Sequence, residues 1–199
     1  MSSPQAFAEI IESSLQKWLA QSWEWNALPA FGSLVSITTP TRTLIAIVHQ
    51  ISTGSMDPSR YPFAYKKSHE ELLQEQPQIF EFLKTTFECL PLGYCEKGKI
   101  HYMLSPEPPL IHAFVSPASA DLCKQFFYQD TYLHVLFGLS ATVFNLDELL
   151  LAMIKQQSEL GILNAQKLTN FTHSFSLLTG NDYRRLKLFL QRAQSTISL

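Results

Sequence analysis

The 199 residues carry 46% hydrophobic, 16% charged and 12% aromatic side chains, a balance that describes a compact soluble protein and excludes collagen-like, coiled-coil and disordered chains. At this length roughly 70% of the unfolded chain's surface is buried on folding, enough for one moderately large core or two small ones without covalent staples. Fifteen basic against seventeen acidic side chains leave a formal charge of -2, so no global field favours nucleic acid, an anionic membrane or an acidic substrate.

The three cysteines, Cys89, Cys95 and Cys123, are too few and too odd in number for a secreted disulfide framework and read as buried thiols in a reducing cytosol. Glu9, Glu12 and Lys17 interrupt the apolar pattern of the first segment, which is therefore not expected to be a signal peptide. No uncharged apolar run reaches the roughly 18 residues needed to span a bilayer. The closest, Leu133 to Leu146, is short and contains His134 and Gly138. A cytoplasmic location without a membrane span is the expectation.

In chain order, Phe7, Ile10, Ile11, Leu15, Trp18 and Leu19 fall at helical spacing over 5–24, with Ser3 as cap and Pro4 in the first turn, which predicts an amphipathic helix. After Pro29 and Gly32 the β-branched runs 33–39 and 43–51 predict two strands. The second is apolar on both faces and should lie centrally in a closed or covered sheet. Gly54, Pro58 and Pro62 mark a long loop, 52–67, which ends at Ser68-His-Glu-Glu, a capping box with Glu71 reaching back. The helical insertion that follows, 68–87, should break at Pro77 and bury Ile79, Phe80, Leu83 and Phe87. Residues 90–95 and 99–104 flank Glu96-Lys97-Gly98 as a hairpin, and Leu110 to Val115 reads as a last short strand.

From Asp121 onward the signals are helical. Leu122 to Leu139 reads as one helix; Asn145 with Glu148 opens the next, closed by Gly161; Asn164 caps a third; and Asn181, after Gly180, caps the last. The expected fold class is α+β: a small β-barrel with an inserted helix, followed by an α-helical carboxy-terminal lobe. The expected units are an amino-terminal helix (1–28), the barrel (29–117) and a helical domain (118–199).

The chemistry legible in the residues is sparse. The seven glycines form no phosphate cradle, no Gly-x-Ser-x-Gly elbow occurs, and the six histidines lack metal-site spacing. His101 and His112 fall on strands predicted to be adjacent, where they would converge, yet no carboxylate is fixed beside them, and surface or structural histidines are the reading adopted. Asp57, in Thr53-Gly-Ser-Met-Asp, is read as bonding its own turn rather than a metal. No cofactor is implied, and no catalytic or metal-ligating residue is assigned.

Charge is uneven at finer grain. Glu70, Glu71, Glu75, Glu81 and Glu88 make the insertion acidic against a single Lys84, whereas Arg184, Arg185, Lys187 and Arg192 make the terminal helix basic; each is read as the solvated face of an ordinary amphipathic helix, a meeting of the two faces being the alternative. The 52–67 loop mixes turn formers with Arg60, Tyr61, Phe63 and Tyr65, residue types that anchor protein interfaces, so it either covers the barrel or binds a partner.

At Phe31-Gly-Ser-Leu-Val-Ser-Ile, at Leu44-Ile-Ala-Ile-Val-His-Gln-Ile-Ser-Thr-Gly-Ser, and through Gln74-Glu-Gln-Pro-Gln-Ile-Phe to Pro108-Pro-Leu-Ile-His-Ala-Phe-Val, the chain resembles the HAS-barrel family shared by HerA-type helicases and ATP synthase. The resemblance covers about residues 31 to 115 and implies a small β-barrel that packs on neighbouring subunits, in a standalone bacterial form. No ATPase domain follows, so assembly is the part of the family role that carries over.

These readings converge on a non-catalytic, cytoplasmic protein-interaction or assembly module whose partner is a protein, an ATPase or a larger assembly being the kind envisaged. The alternatives are an enzyme using His101, His112 or Asp57 in a cleft between lobes, and a nucleic-acid-binding accessory protein using Arg184 and Arg185, for which four cations and no aromatic platform are weak credentials.

Overall fold

The computed structural model describes residues 5–57, 59 and 62–196. Seven strands are formed: β1 (Ala8–Ser13), β2 (Trp18–Ser22), β3 (Leu34–Thr38), β4 (Thr43–Ser55), β5 (Leu83–Glu96), β6 (Lys99–His101) and β7 (Phe114–Pro117). All neighbours are antiparallel, in the order β1-β2-β5-β4-β3-β7 and back to β1, which closes a six-stranded barrel. β6 extends the sheet beyond the barrel, on the stretch of β5 past its pairing with β2.

The helix expected over 5–24 is a hairpin, β1 and β2, and supplies two staves of the barrel rather than a separate unit over 1–28. Apolar residues at helical spacing there coexist with an alternating set, Ala8, Ile10, Trp18 and Ala20, which is the set that is buried. Ser14 decides between the two, because its hydroxyl accepts from the Gln16 and Lys17 N–H groups and donates to the Lys17 carbonyl, building a turn where a helix would continue. The expected cap, Ser3, and Pro4 lie outside the described residues.

β4 and β5 are apolar on both faces, as the sequence predicts for β4. Leu44, Ala46 and Val48 point with Phe87 and Cys89 into the barrel, among Ile10, Trp18, Val35, Ile37 and Val115. Ile45, Ile47, Leu90 and Leu92 point outward and carry the helical lobe. Two bulges re-phase this pair: Leu92 is the extra residue opposite Ile45/Ala46, and His49 is the extra residue opposite Cys89/Glu88. Pro91 is tolerated beside the first of them, where the ladder is already interrupted. Gly93 lets β6 approach closely, since a Cβ there would sit 2.3 Å from the His101 carbonyl oxygen. The hairpin between β5 and β6 turns through Lys97 (φ 50°) and Gly98 (φ 76°), two left-handed residues that form a type I′ connection.

Between β5 and β4 lie α1 (His69–Glu75), with the expected Ser68/Glu71 capping box, and α2 (Gln78–Glu81), opening after Pro77. The insertion is shorter than 68–87. Leu83 and Phe87 belong to β5, and Ser52–Ser55 belongs to β4 rather than to the loop, because the two strands continue their pairing past the barrel rim as far as Ser55 and Leu83. The last strand is Phe114–Pro117 rather than 110–115, since residues 110–113 form a turn with Ala113 N–H donating to the Leu110 carbonyl.

The carboxy-terminal lobe contains α3 (Ala120–Phe126), α4 (Tyr132–Gly138), α5 (Leu146–Glu159), α6 (Ala165–Leu178) and α7 (Tyr183–Thr196). The single helix expected over 122–139 is divided into α3 and α4. The break is held from outside: the Tyr102 hydroxyl donates to the Phe126 carbonyl (2.6 Å) and the Lys167 ammonium to the Phe127 carbonyl (2.7 Å), supplying the bonds a continuing helix would have made. Asn145 and Asn164 cap α5 and α6 as expected. At α7 the cap has moved by one residue: Asn181 takes a left-handed conformation (φ 60°) and Asp182 accepts from the Arg185 N–H. Leu133, Leu136, Leu150, Met153 and Phe175 share one buried core with Ile45, Ile47, Leu90 and Leu92 on the outer face of β4 and β5. Gly32 (φ 77°) brings the chain before β3 against α5, where its Cβ would meet Ala152. Among the described residues no helix is long and apolar enough to cross a membrane.

Gly93→Ala is expected to cost about 2 kcal/mol or more in urea unfolding, because a backbone atom occupies the methyl's space. Gly54→Ala, with nothing within 4 Å of its Cβ position, should change stability by less than about 0.5 kcal/mol.

Candidate functional site

Beyond the barrel rim, β4 and β5 run on as a two-stranded ribbon that carries the connection through α1 and α2, here called the strap. Thr53 and Thr85 share a hydroxyl contact across the ribbon (2.7 Å), and Thr85 also donates to the Trp25 carbonyl. The Met56 N–H donates to the Phe82 carbonyl (2.7 Å) and closes the strap's base. Trp25 stacks on Phe80 at 5.4 Å, and the His69 ring meets both edge-on, so one aromatic clip ties α1 and α2 to the loop after β2.

The strap encloses a groove of about 590 Å³ lined by Phe63, Tyr65, Leu72, Ile79, Phe80 and Leu83. Phe63 is 70% exposed and its ring lies 4.5 Å from that of Tyr65. Neither α1 nor α2 has a buried residue. Of the loop residues singled out from the sequence, Phe63 and Tyr65 line this groove, whereas Arg60 and Tyr61 lie outside the described residues. Trp25, His69 and Phe80 form the clip, and nothing in their spacing announced it: Trp25 is distant in sequence from the other two.

The basic helix meets a different partner from the one its charge suggested. Arg185 forks onto Asp147 of α5, with Nη2 to Oδ1 at 2.6 Å and Nε to Oδ2 at 3.3 Å, over the Phe175 ring. Arg192 pairs with Glu148 of α5. The Asp147 hydrogen bond holds the Arg185 guanidinium above its ordinary range, so Arg185 is an internal clamp between α5 and α7. Arg184 stays on the outer side, beside a groove of about 610 Å³ along α7. Among the described residues Arg185 and Arg192 pair with α5 rather than with the acidic strap helices, and Glu75 of the strap is bonded to Lys67.

The residues considered for catalysis are not brought together. His101 ends β6 and stacks on Tyr94 at 4.8 Å. His112 sits in the turn before β7 in a left-handed conformation (φ 65°), 3.2 Å from Glu9 on β1. Their strands are not neighbours, since β3, β4 and β5 lie between β7 and β6, which corrects the expected adjacency. Asp57 accepts from the N–H and hydroxyl of Ser59, at 2.9 and 2.6 Å, within its own turn. Among the described residues no three His, Cys, Asp or Glu side chains converge as metal ligands. Burial raises the Cys89 thiol well above its usual range and pushes Cys123 up to about 11; Cys95 is half-buried, and all three are unpaired.

One titratable group is displaced by the fold itself. The bulge at His49 leaves its side chain 3% exposed, with Nε2 unbonded and 3.7 Å from Glu88, which also pairs with Lys17 at 3.2 Å. Burial lowers the imidazole's affinity for a proton more than Glu88 restores it.

No family model matches this chain, and no curated protein matches it either.

Because folded His49 resists protonation, the unfolded chain binds more protons below its value of 6.5, and stability complete above that pH falls on acidification toward the lowered folded value. The midpoint of thermal unfolding should therefore fall less steeply from about pH 7 to about pH 5.5 in His49→Gln than in the wild type, the slope rather than the absolute midpoint being the readout.

Proposed function

We propose that this chain is a non-catalytic protein-interaction or assembly module: a barrel and helical lobe that present the strap to a partner protein. The observation that carries this reading is that α1 and α2, seven and four residues long, bury no side chain while lining an apolar groove. Helices this short are not stable by themselves and depend on packing for their free energy. Here the aromatic clip provides one contact, and a partner surface over Phe63, Leu72 and Ile79 would provide the remainder.

The HAS-barrel resemblance is in keeping with the same reading, since the barrel in that family packs on neighbouring subunits. The three unpaired cysteines favour a reducing compartment, in keeping with a cytoplasmic site of action. Aromatic residues at the centre of an apolar patch are the residue types on which interface energy concentrates.

A photoreactive aromatic amino acid placed at Phe63 tests this in extract of the native cell. The expected result is one predominant, stoichiometric adduct that disappears when Ile79→Asp is added, with the far-ultraviolet circular dichroism unchanged. Absence of an adduct, or a diffuse set of adducts indifferent to Ile79→Asp, would contradict the reading.

A further inference from the structure

We propose that the groove between β6 and the end of α3 binds a nucleoside phosphate, free or as a unit of a single strand, with the base on Tyr128 and the phosphate on Lys99 and Lys124. The site is separate from the strap, so its test leaves the docking reading untouched.

The groove, of about 500 Å³, owes its form to one side-chain bond. Just past β6, the Tyr102 hydroxyl donates to the carbonyl of Phe126, the last residue of α3 (2.6 Å), and the two rings lie 5.4 Å apart. That tie sets the hairpin end of β6 against α3. Lys99, Tyr102, Lys124, Gln125, Tyr128 and Gln129 line the space beside it, which has the volume of a small-ligand site.

Its charge selects an anion. No Asp or Glu lines the groove. Lys99 and Lys124 are exposed and make no ion pair among the described residues, and Lys97 in the adjoining turn makes none either. Of the carboxylates nearest along the chain, Glu96 pairs with Arg42 at 3.6 Å, Asp130 interacts with Lys167, and Asp121 lies in the first turn of α3, where it complements the helix dipole. Free carbonyls at the end of α3 would repel an anion. Those of Cys123 and Gln125 already accept backbone N–H groups, that of Phe126 the Tyr102 hydroxyl, and that of Phe127 the Lys167 ammonium.

Tyr128 distinguishes this groove from a general anion site. The neighbouring rings of Tyr102, Phe126, Phe127 and Tyr132 pack on one another. Tyr128 joins none of these pairs and is 77% exposed, so it presents a flat ring on which a base can stack. The side-chain amides of Gln125 and Gln129 make no hydrogen bond among the described residues. Each both donates and accepts, as the edge of a base does. An acidic peptide would need the cations alone, and the open edge of β6, three residues long, is a poor template for an added strand.

Heteronuclear NMR of the full chain at low salt, titrated separately with adenosine monophosphate, adenosine, inorganic phosphate and a short adenylate strand, tests the assignment. Adenosine monophosphate should shift the amides of 98–102 and 124–129 saturably, and bind about fivefold or more tightly than phosphate or adenosine. Lys99→Gln with Lys124→Gln should weaken it about tenfold or more, since two charge-assisted contacts are lost. Tyr128→Ala should weaken it about fivefold or more while phosphate binding is unchanged, and Tyr128→Phe should retain the affinity. Lys99, Lys124 and Tyr128 are all exposed, and the dispersion of each spectrum checks that the variant is folded. A strand that binds more tightly than adenosine monophosphate makes the polymer the source of the ligand, and equal affinity makes it the free nucleotide. No saturable shift with either at millimolar concentration, or shifts lying outside the groove, would overturn the proposal. So would phosphate bound as tightly as adenosine monophosphate with Tyr128→Ala indifferent, the behaviour of a general anion site such as an acidic peptide would use.

Discussion

Along β4 and β5 each apolar side chain has a destination on one side of the sheet or the other. Leu44, Ala46, Val48, Phe87 and Cys89 fill the barrel, while Ile45, Ile47, Leu90 and Leu92 seat the helices. Burying a large aliphatic or aromatic side chain contributes about 1.5–3 kcal/mol, so this antiparallel pair stabilises both halves of the molecule at once. A slip of one residue would exchange the two sets, and the bulges at Leu92 and His49 keep each face in phase as the strands curve. The other strands close the barrel around that pair, and the helical lobe shares the buried core on its outer face.

The strap follows from the same pairing carried further than the core needs. β4 and β5 remain bonded out to Ser55 and Leu83, which projects α1 and α2 beyond the barrel. Their local geometry is well specified, by the Ser68 capping box and by Pro77 at the start of α2. Their packing is not. The clip of Trp25, His69 and Phe80 holds them to the body, and Leu72 and Ile79 line an open groove. The contrast between well-specified local geometry and the absence of a buried side chain in α1 and α2 is what the proposed docking reading rests on.

The sequence made legible what depends on short-range chemistry. The two-faced β4 run, the Lys97-Gly98 hairpin, the capping box at Ser68 and the Asn145 and Asn164 caps all appear where local residues place them. What it concealed depends on distant partners. The first hairpin reads as a helix until β5 and β7 are available to pair with it, and the break between α3 and α4 exists because Tyr102 and Lys167 reach the Phe126 and Phe127 carbonyls. In the candidate site, Phe63 and Tyr65 were visible as aromatics in a long loop that either covers the barrel or binds. Trp25 was not, since only the fold brings it to Phe80. The charge of α7 was legible as well, but not its division between Arg185 and Arg192, which serve α5, and Arg184 and Lys187, which face outward.

The claim on which the account rests is that the body is self-sufficient and the strap helices are not. Native-state hydrogen exchange of the dilute protein, resolved to individual segments by mass spectrometry, measures both together. Amides of Ile45 to Val48 and of Leu90 and Leu92 should exchange only on global unfolding, more than about a thousandfold more slowly than those of α1 and α2, which open locally. Protection of α1 and α2 equal to that of β4 and β5 would contradict the account, because the strap would then be an integral part of the fold with no stabilisation left for a partner to supply.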